Sequence, residues 1–181
     1  MKWFTSDTHF KHINILRHDG RPFSSIEEHD EALINNWNAV VLPGDVVYHL
    51  GDFGWMRTTQ ETNLYLARLH GVKFLIRGNH DHAPIRKASG WTKVVPYLEI
   101  AERGQKIVLF HYRMVVWNAS HHGSWALHGH SHGSLPVNYR AKTMDVGTML
   151  HGFRPISFDE VAEEMQKHVW VPVDAHGKGQ E

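Results

Sequence analysis

Asp7, His9, Asp52, Asn79, His111, His130 and His132 share one habit: each follows a short apolar run or sits against a glycine or another small residue, and His80 comes directly after Asn79. Carboxylate, amide and imidazole donors suit Zn, Mn, Fe or Ni, and imidazole also moves protons near neutral pH. The chain holds 17 histidines and no cysteine, so any metal chemistry is nitrogen and oxygen chemistry, without thiolate sites or disulfides. Position along the chain has to separate ligands from ordinary histidines.

The elements that would position these residues follow from local pattern. Residues 2–6 read as a short buried strand running into Asp7-Thr8-His9. Ser25 with Glu28 forms a capping box that opens a helix to about residue 39. Residues 46–50 form a second strand ending at Gly51-Asp52, and residues 59–69 a helix with Leu66 and Leu69 inward and Gly71 as its stop. Residues 73–77 form a third strand, ending in Gly78-Asn79-His80-Asp81. This order is that of a parallel sheet covered by helices, and ligands gather beyond the carboxyl ends of such strands. In the second half, residues 97–101 and 106–111 read as a hairpin around Arg103-Gly104-Gln105, with further short strands at 125–128 and 143–146. Ser157 with Glu160 is a second capping box, opening a helix to about residue 168. His130 and His132, two apart on an extended segment, would project from the same side. Gly44-Asp45 precedes its strand rather than following it and reads as a turn at the wrong end of the sheet.

Taken in order, Asp7-Thr8-His9, Gly51-Asp52, Gly78-Asn79-His80-Asp81, His111 and Gly129-His130-Ser131-His132 resemble the signature of the calcineurin-like metallophosphoesterases. The run from Asp7 to Ile15 resembles the opening of short bacterial and phage members. The resemblance implies an α/β fold, a calcineurin-like sandwich of two mixed β-sheets flanked by helices. It also implies two divalent metal ions, Mn²⁺ first, with Zn²⁺, Fe or Ni²⁺ as alternatives. Asp7, His9 and His132 would hold one ion and Asn79, His111 and His130 the other, with Asp52 bridging. A hydroxide shared by the metals would attack phosphorus in line, with His80 as the general acid for the leaving group.

The protein-phosphatase branch of that family follows its glycine-aspartate pair with a second aspartate and an arginine. Here the run is Gly51-Asp52-Phe53-Gly54-Trp55-Met56-Arg57, with neither at the matching place. That arginine grips a dianionic phosphomonoester, so its absence favours a phosphodiesterase over a phosphomonoesterase acting on nucleotides or proteins. It also leaves the partner that orients His80 unassigned, since adjacency of Asp81 does not make a hydrogen bond. His12, Asn14, Arg17 and Arg21 stand where a loop and helix could reach substrate, and Arg77 and Arg113 flank ligand positions where guanidinium could meet phosphate. Trp55, Trp117 and Trp125 could wall a base or sugar. Each of these also has an ordinary reading as a packing or solvated residue. A catalytically silent scaffold would be expected to lose ligands or His80; this chain retains both.

At 181 residues the chain fits one domain, a metallophosphoesterase unit over 1–168, with a loose tail over 169–181 containing Pro172, Gly177 and Gly179. Net charge is zero, which gives no electrostatic reason for general nucleic-acid or membrane binding. No apolar run approaches the roughly 20 residues of a membrane span, and a cytoplasmic protein without an obligatory protein partner is expected. The substrate would be a small phosphate ester, a nucleotide or a nucleic-acid end. With little chain beyond the core to build a cap, an open cleft is expected, shaped by loops at 10–22, 53–58 and 112–124.

Overall fold

Side chains that alternate across a pleat decide how the first sheet is sandwiched. In the computed structural model, which describes residues 1–171 and residue 173, Trp3, Val47 and Leu75 face one way while Phe4, Tyr48 and Ile76 face the other, and all are buried. The tail expected over 169–181 lies mostly outside the described residues. In chain order the elements are β1 (Lys2–Thr5), α1 (Asn14–His18), α2 (Ile26–Val40), β2 (Val46–His49), α3 (Thr59–Arg68), β3 (Val72–Ile76), α4 (Ala83–Arg86), β4 (Lys93–Val95), β5 (Tyr97–Glu102), β6 (Gln105–Phe110), β7 (Trp125–His128), β8 (Thr143–Asp145), β9 (Ile156–Ser157) and α5 (Phe158–Gln166).

One sheet runs β4-β3-β2-β1-β9 and the other β5-β6-β7-β8. β1 to β4 are parallel, with Thr5, His49 and Leu75 in register, and β9 is antiparallel to β1. In the second sheet β5 and β6 form the hairpin, and β6, β7 and β8 are parallel. Both sheets are therefore mixed, as expected. Phe4, Tyr48, Leu50 and Ile76 pack against Ile107, Leu109 and Leu127 between the sheets, with Phe158, Val161 and Met165 of α5 closing the same core. Leu33, Ile34 and Trp37 of α2 and Leu66 of α3 pack against Trp3, Val47 and Leu75 on the outer face.

Caps set the helix starts. Ser25 accepts from the Glu28 N–H at 3.1 Å, but the Glu28 carboxylate returns to the Ser24 N–H rather than to Ser25, so that capping box is half made. Around Ser157 and Glu160 the box is complete, worth about 1 kcal/mol. Gly71 lies beyond the end of α3, whose C-cap is Leu69. Among the described residues no helix is long and apolar enough to cross a membrane.

The two sheets are joined at one end. Ser6, just past β1, forms a parallel bridge with Gly147, its N–H donating to Val146 O at 3.1 Å while Thr148 N–H donates back to Ser6 O at 2.9 Å. The carboxyl ends of β1, β2, β3, β6 and β7 carry the chemically interesting loops. Asp45, at the opposite end of β2, takes the N-terminal ammonium at 2.6 Å, Trp3 Nε1 at 2.9 Å and the Leu42 N–H at 3.0 Å. It is a turn anchor.

Candidate metal centre

Two clusters form at these strand ends. Asp7, His9 and His132 present one donor atom each within 4.8 Å of one another, and Asp52, His111 and His130 do the same. Asn79 joins the second cluster, its Oδ1 lying 3.1 Å from His111 Nε2 and accepting from Tyr112 OH at 3.2 Å. Asp52 stands between the clusters: its Oδ2 is 3.4 Å from His111 Nε2 and 3.9 Å from His9 Nε2. Its Oδ1 accepts the His80 N–H at 2.9 Å.

The backbone is bent hard to achieve this. Asp7, His9, Asp52, His130 and His132 all have positive φ, a conformation costing an L-residue roughly 1–2 kcal/mol and concentrated where function over-determines the chain. The extended segment expected around His130 and His132 is instead a left-handed turn. It sends His130 to the Asp52 cluster and His132 to the Asp7 cluster rather than projecting both to one side. Glycines let these loops touch. A Cβ on Gly78 would meet Asp52 Oδ1 at 2.2 Å, and one on Gly129 would meet Ser6 Oγ at 2.3 Å and Asp7 Oδ2 at 2.5 Å.

The residues suit a cation at both points. Asp7 Oδ1 is buried and makes no hydrogen bond among the described residues; its facing group is His132 Nε2, 3.5 Å away, so this carboxylate sits where positive charge, from the imidazolium or a metal ion, is needed to offset its burial. Asp7 Oδ2 is occupied by Ser6 Oγ at 2.6 Å and the His130 N–H at 3.0 Å. Leu50 O lies 2.7 Å from His111 Nδ1, which fixes the proton there and leaves Nε2 free as a ligand atom. The Nε2 atoms of His9 and His132 stand 3.3 Å apart, facing each other. Burial, opposed by Asp7 and Asp52, pushes His9 down to about 3, which keeps its imidazole neutral. At His132 burial works against the charge, but the Asp19 carboxylate at Nδ1 and the Asp7 carboxylate 3.5 Å from Nε2 outweigh it and raise this group to about 10. Burial tends to raise Asp52, yet His111, the His80 N–H and His9 hold it below the usual carboxylate range.

Behind the Asp7 cluster lies a polar network outside every motif read from the sequence. Asp19 Oδ2 takes His132 Nδ1 at 2.6 Å and Arg21 Nη2 and Nε at 3.1 and 3.2 Å. Arg21, expected as a substrate or solvated residue, is buried; its guanidinium donates to Asp7 O at 2.8 Å, to Thr8 O at 3.0 Å and faces His29 Nε2 at 2.8 Å. His29 continues to Asp30, which in turn receives the Lys11 N–H at 3.0 Å and Tyr65 OH at 2.8 Å. This chain of charges clamps the loop from Asp7 to Lys11. Asp19 and His132 are far apart in sequence, and no local spacing announces the pair.

Asp81 does not orient His80. It is buried and accepts the N–H groups of Gly78 at 2.7 Å, Phe53 at 2.9 Å and Asp52 at 3.0 Å, tying the β2 and β3 loops together. Its place inside the run Gly78-Asn79-His80-Asp81 was the available signal. The His80 imidazole makes no hydrogen bond among the described residues; rings surround it, with centroids 5.7 Å from Trp55, 5.8 Å from His9 and 6.4 Å from His12. His12 Nδ1 is 3.4 Å from His9 Nδ1. Arg77 is exposed and lines, with Asn79 and Tyr112, a depression of about 350 Å³ beside the second cluster. Arg113 turns elsewhere: it donates to Pro136 O at 2.9 Å on the wall of a cavity of about 600 Å³ that contains none of the seven expected ligands. Asn14 and Arg17 are exposed on α1.

The fold and this paired His/Asp arrangement belong to one class of protein, and residues 3–178 match the calcineurin-like phosphoesterase family, to which the chain belongs. The family is one of phosphoric ester hydrolases that use divalent metal ions, with small phosphate esters as the substrate class. The chain is similar to an uncharacterized protein of Methanocaldococcus jannaschii, 33% identical over 171 residues that cover 91% of each chain. It is also similar to the gene 66 protein of Mycobacterium phage D29, 29% identical over 189 residues covering 89% of this chain and 94% of that relative. Among solved structures, a protein of unknown function from Aquifex aeolicus matches with a TM-score of 0.72 at 26% identity, covering 91% of this chain and 98% of that one.

Proposed function

We propose that the protein is a two-metal phosphodiesterase, with Asp7, His9 and His132 holding one ion, Asn79, His111 and His130 the other, and Asp52 shared. The observation that carries this reading is the position of Asp52 Oδ2, between His111 Nε2 at 3.4 Å and His9 Nε2 at 3.9 Å. Bound divalent ions supply positive charge for a phosphoryl group and lower the pKa of water, and the oxygen-and-nitrogen donor set favours Mn²⁺.

His80 is the acid that protonates the departing alkoxide. Its ring is free of hydrogen bonds among the described residues and stands beside His9, at the rim of the first cluster. It holds Asp52 through its backbone N–H, so removing the imidazole leaves that bond intact. The diester preference is supported by the run after Asp52, where Phe53 and Met56 are buried apolar side chains and Trp55 is an indole, so the run sets no arginine there to grip a dianionic phosphate.

With Mn²⁺ present, bis-p-nitrophenyl phosphate should show a higher kcat/KM than p-nitrophenyl phosphate; the reverse order would favour a phosphomonoesterase. His80→Ala should keep its metal content and lose roughly 10²–10⁴-fold in turnover on esters with basic leaving groups, and less on nitrophenyl esters. Equal loss for all leaving groups, together with loss of metal, would make His80 a buttress of the Asn79 loop instead.

A further inference from the structure

Trp55 and Tyr112 are the exposed large aromatics beside the candidate centre among the described residues; Tyr112 is engaged there, donating its OH to Asn79 Oδ1 at 3.2 Å, whereas packing does not absorb Trp55. Its neighbours Phe53, Gly54 and Met56 are buried, whereas Trp55 itself is 46% exposed. The backbone there is fixed, because Trp55 N–H donates to Phe10 O at 2.7 Å and Gly54 bridges Phe10. An exposed tryptophan on a rigid loop loses apolar burial without gaining the freedom of a mobile one. The other two tryptophans that could have walled a base are committed elsewhere. Trp117 Nε1 donates to Ser124 O and Oγ at 3.1 and 3.0 Å, and Trp125 stacks on Phe158 with centroids 5.7 Å apart.

The surroundings of Trp55 say what its open surface is for. Its indole stacks on His12 with centroids 4.9 Å apart and planes 17° from parallel, and the His12 ring is 5.4 Å from His9 of the first cluster. The ring of His80 is 5.7 Å away, and His82 meets the indole edge-on at 6.0 Å. A row of flat rings thus leads from the candidate metal ligands outward past the candidate acid. A group esterified to a phosphate over the clusters, with its ester oxygen toward His80, would extend along this row. The occupant such a surface fits is planar and aromatic.

We infer that Trp55, backed by His12, is a stacking platform for the nucleobase of a nucleoside phosphate ester whose phosphate lies over the two His/Asp clusters. The inference rests on the phosphoester reading of the site and deepens it by naming the substrate class. Stacking on an aromatic side chain tolerates any base, because every base has a π-face. Specificity would therefore be for the presence of a base rather than for its identity.

The test is equilibrium binding of adenosine 5′-monophosphate and of ribose 5-phosphate to the Mn²⁺-loaded protein, followed by tryptophan fluorescence and by calorimetry. The two ligands share phosphate and sugar and differ in the base. Wild type should bind the nucleotide more tightly than the sugar phosphate by roughly 5- to 100-fold, the range expected for one base stacked on one aromatic ring, with quenching of indole emission. Trp55→Ala should abolish that difference and the quenching while binding ribose 5-phosphate as wild type does, and Trp55→Phe should restore most of the difference. Equal affinity of wild type for the two ligands, no detectable binding of either, or an undiminished preference in Trp55→Ala would overturn the platform. Hydrolysis of bis-p-nitrophenyl phosphate by the same preparation separates the failures. Activity there with no base preference removes the platform and leaves the phosphoesterase, whereas base-selective binding with no hydrolysis of any ester removes the phosphoesterase reading and leaves a nucleotide site.

Discussion

Replacing Asp19 with Asn tests how far the site depends on a residue outside its motif. The Asp19 carboxylate lies 2.6 Å from His132 Nδ1 and neutralises Arg21, whose side chain is fully enclosed. Asn has the same shape but no charge, so His132 keeps a weaker partner and a less basic ring. Loss of such an outer carboxylate on a metal-binding histidine typically costs 10- to 100-fold in metal affinity. Arg21 retains its bonds to Asp7 O and Thr8 O, both neutral acceptors, so the fold should also lose about 1.5–3 kcal/mol, the scale of a hydrogen bond between charged groups. Competition against a chromogenic chelator should show one of two Mn²⁺ ions weakened and the other nearly unchanged, because Asp19 touches only the His132 side. Thermal unfolding of the metal-free protein gives the stability change separately. Asp159→Asn, an exposed partner of Arg103, is the control and should alter neither metal step. Wild-type affinity for both ions in Asp19→Asn would refute the reasoning, since the tightest contact to His132 would then contribute nothing to its role.

Other consequences follow from contacts around the same loops. Gly78→Ala should lose metal at both clusters, because its Cβ would press on Asp52 Oδ1, while Gly44→Ala, with nothing within 4 Å, should bind metal normally; metal stoichiometry compares them. Asp81→Asn keeps one accepting oxygen but turns the other into a donor that faces at least the Phe53 N–H, and should lower stability by about 1–3 kcal/mol for the donor left unsatisfied, read as a fall in Tm. Glu160 is held down to about 2 by Arg154 and Ser157, against the opposing effect of burial. Its folded value lies below the ordinary 4.5, so its stabilisation is complete above that pH and is lost as pH falls through about 2. Glu160→Gln should therefore cost about 1 kcal/mol at pH 7, the usual worth of a cap, and progressively less as pH falls from 4.5 through 2. A difference from wild type that stays constant with pH would contradict this linkage.

The parts of the fold legible in the sequence are those with a local cause. β1, β2 and β3 alternate around two cores, and each breaks into glycine or small polar residues, so both the strands and the convergence of their loops could be read from the chain. β4 and β9 have three and two residues, too few to show a period, and exist because β3 and β1 offer them a ladder. The turn at His130 and His132 escapes a local reading for a related reason. Its left-handed residues are imposed by distant partners, Asp7 accepting from the His130 N–H and Asp19 from His132. Arg21 shows the same limit: an arginine reads as exposed until the backbone oxygens, Asp19 and His29 that surround it are known. Long-range polar contacts carry no periodicity.

Whether two metal ions share Asp52 is decided by diffraction from crystals grown with Mn²⁺, with data collected on both sides of the manganese absorption edge. Two anomalous peaks are expected, one among Asp7, His9 and His132, the other among Asn79, His111 and His130, about 3.5–4 Å apart as in two-metal phosphoryl-transfer sites, with Asp52 touching both. A single peak, or peaks away from these side chains, would contradict a shared Asp52.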